Sequence, residues 1–72
     1  MATPQILAAI GAFARRRREQ LGLPLREVAF RAGLSVPYVA NLEKGRGNPT
    51  LDTIVRLADA LDLPLIELIV GE

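Results

Sequence analysis

Residues 25–44 read LREVAFRAGLSVPYVANLEK, and this stretch decides the fold. Apolar residues recur at helical spacing on both sides of Gly33, which predicts two short helices joined by a tight turn. Ala29 is small where the second helix is expected to cross closest to the first, and Gly33 permits a left-handed turn. Shared apolar residues are expected to fix the crossing of the two helices at about 90–120°. These residues are Val28, Leu34, Val39 and Leu42.

Helical periodicity continues on both sides of this stretch, and nothing in the sequence indicates a strand or an internal repeat. Ser35 and Thr50 are good N-caps for the third and fourth helices, because their hydroxyl groups can accept from free backbone N–H groups. Residues 44–49 read as a loop by composition. The sequence therefore predicts an all-α, compact five-helix bundle. The expected helices cover about residues 5–21, 23–32, 36–43, 51–61 and 64–70.

The composition restricts both the size of the fold and its chemistry. The chain has 72 residues, enough for one domain over residues 1–72, and a core this small often gains from a partner subunit. Half of the residues are apolar but only 4% are aromatic, so aliphatic side chains and alanine must build the core. The sequence has no Cys and no His. Disulfides and thiolate metal sites are excluded, and we expect no enzyme, metal or cofactor.

The charges are divided unevenly along the chain. Residues 1–50 hold eight basic and three acidic side chains, a net +5, whereas residues 51–72 hold one basic and five acidic, a net −4. A basic half is what a polyanionic partner requires, although a chance division between solvated helix faces has the same appearance. The sequence has no signal-peptide pattern and no apolar run of roughly 20 residues, so we expect a cytoplasmic, nucleoid-associated protein without a membrane or small-molecule partner.

Residues 22–61 resemble the Cro/C1-type (XRE) helix-turn-helix family, including the segment LEKGRGNPTL after the third helix. The residues Ser35, Val36, Pro37 and Tyr38 are similar to those of a regulator subset that includes the DNA-damage-response repressors of radiation-resistant bacteria. The resemblance implies a lambda-repressor-like DNA-binding domain. It also implies a transcriptional regulator, with repression expected, that binds an inverted-repeat operator as a homodimer.

In DNA-binding domains with a helix-turn-helix unit of this type, the third helix enters the major groove and its first turns face the base edges. Asn41 can pair with adenine through two hydrogen bonds, and small apolar side chains can contact a thymine methyl group. This surface is more apolar than in many relatives, and a simply capped helix start is the alternative interpretation. The expected base contacts are Val36, Pro37, Ala40, Asn41 and Lys44.

Phosphate contacts are expected around both ends of the unit. Leu25 stands where many relatives carry a phosphate-binding Gln, but Arg26 follows it at the start of the second helix, where backbone N–H groups also favour an anion. Arg46 is alternatively a solvated loop charge, and Thr50 only a helix cap. The expected phosphate contacts are Arg15, Arg26, Tyr38, Arg46, Asn48 and Thr50.

The run of four arginines at 15–18 cannot face DNA as a whole, because successive helical residues point in different directions. Arg15 or Arg16 can flank the DNA backbone, and Arg17 can serve either DNA or the scaffold. The family resemblance implies that Arg18 pairs with Glu43 at the end of the third helix.

The last helix is apolar almost all round, which is typical either of a subunit interface or of a helix that belongs wholly to the core. A symmetric dimer through it would place two third helices about one DNA turn, or ~34 Å, apart. The expected interface residues are Leu63, Leu65, Ile66, Ile69 and Val70. The competing hypothesis is a protein-interaction or antitoxin-like module that keeps the fold with weak or no operator binding.

Overall fold

The computed structural model describes residues 4–71, and these residues form five helices without a strand. The expected all-α bundle with its helix-turn-helix is confirmed, and most helix ends lie within one or two residues of their expected positions. Pro24 is the N-cap of the second helix, with extended backbone, rather than part of its first turn. The helices are α1 (Pro4–Gln20), α2 (Leu25–Ala32), α3 (Val36–Glu43), α4 (Leu51–Ala60) and α5 (Leu65–Val70).

The predicted caps define where the helices of the unit begin and end. The Ser35 hydroxyl accepts from the backbone N–H of Tyr38 at 3.2 Å at the start of α3. The Thr50 hydroxyl accepts from the N–H of Thr53 at 3.2 Å at the start of α4. Gly33 ends α2 in the left-handed region, at φ 68°, which a residue without Cβ adopts at little cost. Local chemistry thus fixes the turn between α2 and α3.

The core lies where the five helices meet. Helix α1 packs on α3 and α5, α2 packs on α3 and α4, and α4 packs on α5. Within residues 4–71 no charged or polar side chain is fully buried, so aliphatic packing supplies the stability of the core. Among the expected shared residues, Leu34 is only half-buried against the others. The buried apolar residues are Ile10, Ala14, Val28, Ala29, Ala32, Val39, Leu42, Ile54, Leu57, Ala58, Ala60, Leu61, Leu63 and Leu68.

The assignment of Leu63 to a dimer interface is wrong, because this side chain is buried in the core. Asp62 has a left-handed backbone, at φ 58°, and reverses the chain after α4. The N–H of Leu63 then donates to the carbonyl of Ala58 at 2.9 Å, which folds this residue back onto α4. Leu65 is half-buried against the same core. The exposed apolar surface of α5 therefore consists of Ile66, Ile69 and Val70.

Candidate nucleic-acid interface

The outer face of α3 presents the residues predicted to read bases. Val36, Pro37 and Asn41 are exposed, whereas Ala40 is half-buried and contributes a small apolar surface beside them. Proline is tolerated in the first turn of α3, where the backbone N–H groups have no partner within the helix. This face thus offers one amide and several apolar groups.

A tight turn at the end of α3 holds Arg46 against the helix. Lys44 is the C-cap, and Gly45 takes the left-handed backbone, at φ 73°. The N–H of Arg46 then donates to the carbonyl of Asn41 at 2.9 Å. The backbone of Arg46 is therefore bonded to that of Asn41, the residue predicted to pair with a base.

A recess of about 220 Å³ joins α1, the start of α2 and the end of α3. Its lining includes Arg15, Leu25, Ala40 and Lys44. Lys44, predicted as a base contact, follows the last residue of α3 and shares this recess with Arg15, predicted as a phosphate contact. The paired side chains of Arg18 and Glu43 line the same recess, so its charges are mixed, and Lys44 stays a predicted base contact that lies beside a predicted phosphate contact. Leu25 lines the same recess, but its side chain has no amide group that could bind a phosphate.

The basic side chains separate into those with partners in the protein and those without. Within residues 4–71, Arg15, Arg18, Arg31 and Arg56 form ion pairs with carboxylates. Arg17 donates to backbone carbonyls, and Arg16 lies over the Phe13 ring at 5.6 Å. The cations that bond to no other group of the described chain stand at the start of α2 or after α3. These cations are Arg26, Lys44 and Arg46.

The expected pair between Arg18 and Glu43 is present and nearly buried. The Arg18 Nε and Nη2 atoms donate to the two carboxylate oxygens of Glu43 at 2.7 and 3.0 Å. Nη1 of Arg18 donates to the carbonyl of Leu23 at 3.0 Å, so one guanidinium joins α1 to the end of α3 and to the segment before α2. The hydrogen bond with Glu43 raises the pKa of Arg18 above its ordinary value. The pair positions α3 and is not free to bind DNA.

Two glycines bring α1 against α3, and sequence reasoning missed both contacts. A Cβ on Gly11 would overlap the carbonyl oxygen of Leu42 and lie 2.8 Å from that of Glu43. A Cβ on Gly45 would lie 2.7 Å from the Cα of Ala8. The signal available in the sequence was a glycine inside a helical pattern, which points to close packing only when the facing helix is known.

The remaining predicted phosphate contacts occupy different surroundings. Tyr38 is half-buried, and its ring packs against the core. Asn48 and Thr50 are exposed, but Thr50 borders an apolar groove instead of the recess beside Lys44. Arg26 and Arg46 are exposed. The structure therefore brings together Arg15 with Lys44, and Arg46 with Asn41, while it leaves Thr50 at the border of another surface.

The apolar groove has a volume of about 400 Å³ and joins α1, the start of α4 and α5. Leu51, which lines the groove, is 68% exposed, and Ile66 elsewhere on α5 is 65% exposed. The apolar pattern of the last helix indicated the contribution of α5, whereas the exposure of Leu51 at the start of α4 was not predicted. The groove is lined by Leu7, Ile10, Pro49, Thr50, Leu51, Ile54 and Ile69.

Other kinds of site find little support among residues 4–71. No group of three Asp or Glu side chains in this range is arranged to hold a metal ion. None of the helices described there combines the length and the apolar character needed to cross a membrane.

The crossing of α2 and α3 and the exposed outer face of α3 define the chain as a helix-turn-helix protein. A family model described as helix-turn-helix matches residues 15–68, and the chain belongs to this family. The match confirms the resemblance to the Cro/C1 type that the sequence indicated.

Relatives and solved structures agree with this assignment. The chain is 49% identical over 57 residues to y4dJ, an uncharacterized HTH-type transcriptional regulator of Sinorhizobium fredii, covering 79% of this chain and 73% of that protein. It is 40% identical over 57 residues to the HTH-type transcriptional regulator DdrOP3 of Deinococcus deserti, but spans only 44% of that relative. The crystal structure of the restriction-modification controller protein C.AhdI of Aeromonas hydrophila superposes with a TM-score of 0.82 at 39% identity. That superposition covers 86% of this chain and 94% of the controller.

Proposed function

We propose that the protein is a transcriptional regulator that binds double-stranded operator DNA as a homodimer, most simply as a repressor that occludes the DNA it covers. Helix α3 enters the major groove, with Val36, Pro37, Ala40 and Asn41 toward the base edges. The observation that carries the proposal is the position of the cations whose side chains have no partner within the described part of the chain. Arg26, Lys44 and Arg46 flank the two helices of the unit, where phosphates lie when such a unit docks.

The division of labour follows from the chemistry of each side chain. Asn41 alone on the face of α3 has both a donor and an acceptor for a base edge, so it carries most of the polar discrimination. Arg15 holds a phosphate on one side, with Lys44 beside it, while Arg46 and Arg26 hold phosphates beside the turn and at the start of α2. Tyr38, Asn48 and Thr50 remain secondary phosphate contacts.

The second copy is proposed to bind through the groove and the exposed face of α5. A two-fold interface uses the same surface on both subunits, so a protruding side chain must lie beside a recess that accepts it. Ile66 and Val70 protrude from α5, and Ile69 of the same helix lines the groove. Protruding apolar side chains and an apolar recess on the same helix support the proposal, because a two-fold interface needs both on each subunit. This surface lies in the acidic part of the chain, and we therefore expect it to face away from the negatively charged DNA. The proposed location of the protein is the cytoplasm, in association with the nucleoid.

Selection of bound sequences from a random duplex library tests the proposal. We expect an inverted repeat with half-site centres about 34 Å apart. Binding should weaken with salt at a log–log slope of about −5, if three free cations of each subunit each release one counterion. A library without enrichment, together with salt-insensitive binding, would contradict operator recognition. It would favour the interaction-module hypothesis, for which the apolar side chains Val36 and Pro37 are the supporting observation.

A further inference from the structure

The last turns of α1 carry two adjacent arginines that bind different parts of the domain. Arg18 bonds to Glu43 and so holds the end of the reading helix α3. Arg17 reaches in another direction, where its Nε donates to the carbonyl of Leu61 at 3.0 Å and its Nη2 donates to that of Asp62 at 3.3 Å. Helix α1 is therefore bonded to α3 through one side chain and to the turn between α4 and α5 through the next.

The turn that Arg17 bonds to determines the direction in which α5 leaves α4. The carbonyl groups at the end of α4 have no hydrogen-bond partners within the helix, and they form the negative end of its dipole. A guanidinium is positively charged and can donate two N–H groups to them in a planar fork. Asp62 holds a left-handed backbone there, at φ 58°. Pro64 is the N-cap of α5 and provides no side-chain hydrogen bond to it. The fork of Arg17 is thus a side-chain restraint on the backbone between the two helices.

We propose that Arg17 is a positioning residue that sets the angle between α5 and α3, and through it the operator spacing that the dimer accepts. This inference rests on the proposed function, since it requires pairing through α5 and reading through α3. Adjacent base pairs lie about 3.4 Å apart along the DNA axis. A tilt of α5 by about 10°, for a lever as long as the 23 Å middle dimension of the molecule, would displace α3 by about 4 Å. This displacement is comparable with the rise of one base pair, which also rotates one half-site by about 35° relative to the other, so the orientation of α5 bears on both the distance and the rotation.

The test measures binding to the selected inverted repeat and to duplexes with one base pair added to or removed from its centre. The proteins are the wild type, Arg17→Met and the control Arg56→Met. Arg56 lies on α4, exposed and paired with Asp52, so its loss removes the same charge without touching the turn. We expect the wild type and Arg56→Met to discriminate against the altered spacings by at least about tenfold. For Arg17→Met we expect discrimination to fall to about threefold or less, with base preference within each half-site unchanged.

The outcomes separate this inference from the function on which it rests. A wild type that selects an inverted repeat, with Arg17→Met showing the same spacing profile, overturns the role of Arg17 and leaves the proposed function intact. A wild type that selects no repeat overturns both. If circular dichroism shows that Arg17→Met is unfolded, the spacing profile of Arg17→Lys is measured instead. This variant keeps the charge and the aliphatic stem but loses the planar fork. A broadened profile for Arg17→Lys supports the inference, and a wild-type profile contradicts it.

Discussion

The backbone N–H of Arg46 donates to the carbonyl of Asn41 at 2.9 Å, so the expected phosphate contact is tied directly to the expected base reader. The bond depends on Gly45 between them, which takes a left-handed backbone that other residues adopt at a cost of about 1–2 kcal/mol. Gly45 also lies close enough to α1 that a Cβ would meet the Ala8 backbone. The turn therefore depends both on backbone conformation and on space.

The first prediction concerns this turn. Gly45→Ala should lower the free energy of unfolding by about 3 kcal/mol or more, because conformational strain and a backbone clash with Ala8 add together. Gly47→Ala is the matched control, since Gly47 also has positive φ, at 94°, but a Cβ there meets nothing within 4 Å. We expect the control to lose only about 1–2 kcal/mol. Urea denaturation of both variants is the measurement, and equal losses would show that the approach to Ala8 is unimportant.

The second prediction is that a glycine-to-alanine substitution inside a helix lowers the stability of the protein, which is the opposite of its usual effect. Replacing a glycine inside a helix with alanine ordinarily stabilises it by roughly 0.5–1 kcal/mol. Gly11→Ala should instead destabilise the protein by more than about 2 kcal/mol, because its Cβ would overlap the backbone carbonyl of Leu42 in α3. Ala12→Gly, at an exposed position of α1, controls for helix propensity and should lose about 1 kcal/mol. Thermal melts followed by circular dichroism compare the two, and a stabilised Gly11→Ala would refute the close packing.

Local chemistry explains why so much of the fold could be predicted from the sequence. The Ser35 and Thr50 caps and the Gly33 turn each act within a few residues, so their signals are legible in the chain alone. Leu63 was misassigned because its burial depends on the backbone reversal at Asp62, which no periodicity reports.

The site was less predictable than the fold, because side-chain pairing decides which cations remain available. The arginines at positions 15–18 look alike in the sequence, yet Arg17 bonds to carbonyls and Arg18 to a carboxylate. Only the three-dimensional arrangement shows that the side chains of Arg26, Lys44 and Arg46 have no partner among residues 4–71. The bases that Asn41 is proposed to contact cannot be inferred from sequence periodicity at all.

The third prediction concerns the ion pair between α1 and α3. Arg18→Met or Glu43→Leu alone should cost about 3–5 kcal/mol, because each leaves a nearly buried charge without its partner. The double variant should lose much less than the two single losses combined, since it buries no lone charge. The exposed pair Arg15 with Glu19 is the control, and breaking it should cost at most about 1 kcal/mol. Urea denaturation of the four proteins completes the cycle, and additive losses would contradict a coupled pair.

The fourth prediction separates backbone binding from base reading. Arg46→Ala should make the salt slope of duplex binding shallower by about 0.9 for each phosphate that the protein no longer neutralises, with sequence preference unchanged. Asn41→Ala should keep the slope and lose about 1–3 kcal/mol of discrimination at one position of each half-site. Arg31→Ala is the control, because Arg31 is paired with Glu27 on α2 and should change neither quantity. Titrations at several salt concentrations decide, and identical effects of Arg46→Ala and Asn41→Ala would contradict the division.

The fifth prediction tests the surface proposed for the second copy. Ile66 is 65% exposed in a single chain, so Ile66→Glu should leave the monomer folded, whereas a dimer would bury the new charge without a partner. We expect the dissociation constant of the dimer to rise at least about 100-fold, equivalent to about 3 kcal/mol. Phe30→Glu is the control, because Phe30 is 83% exposed on α2 and does not line the groove. Sedimentation equilibrium measures the mass of each protein. A wild-type mass for Ile66→Glu, with Phe30→Glu monomeric instead, would place the contact between subunits on α2 rather than on α5.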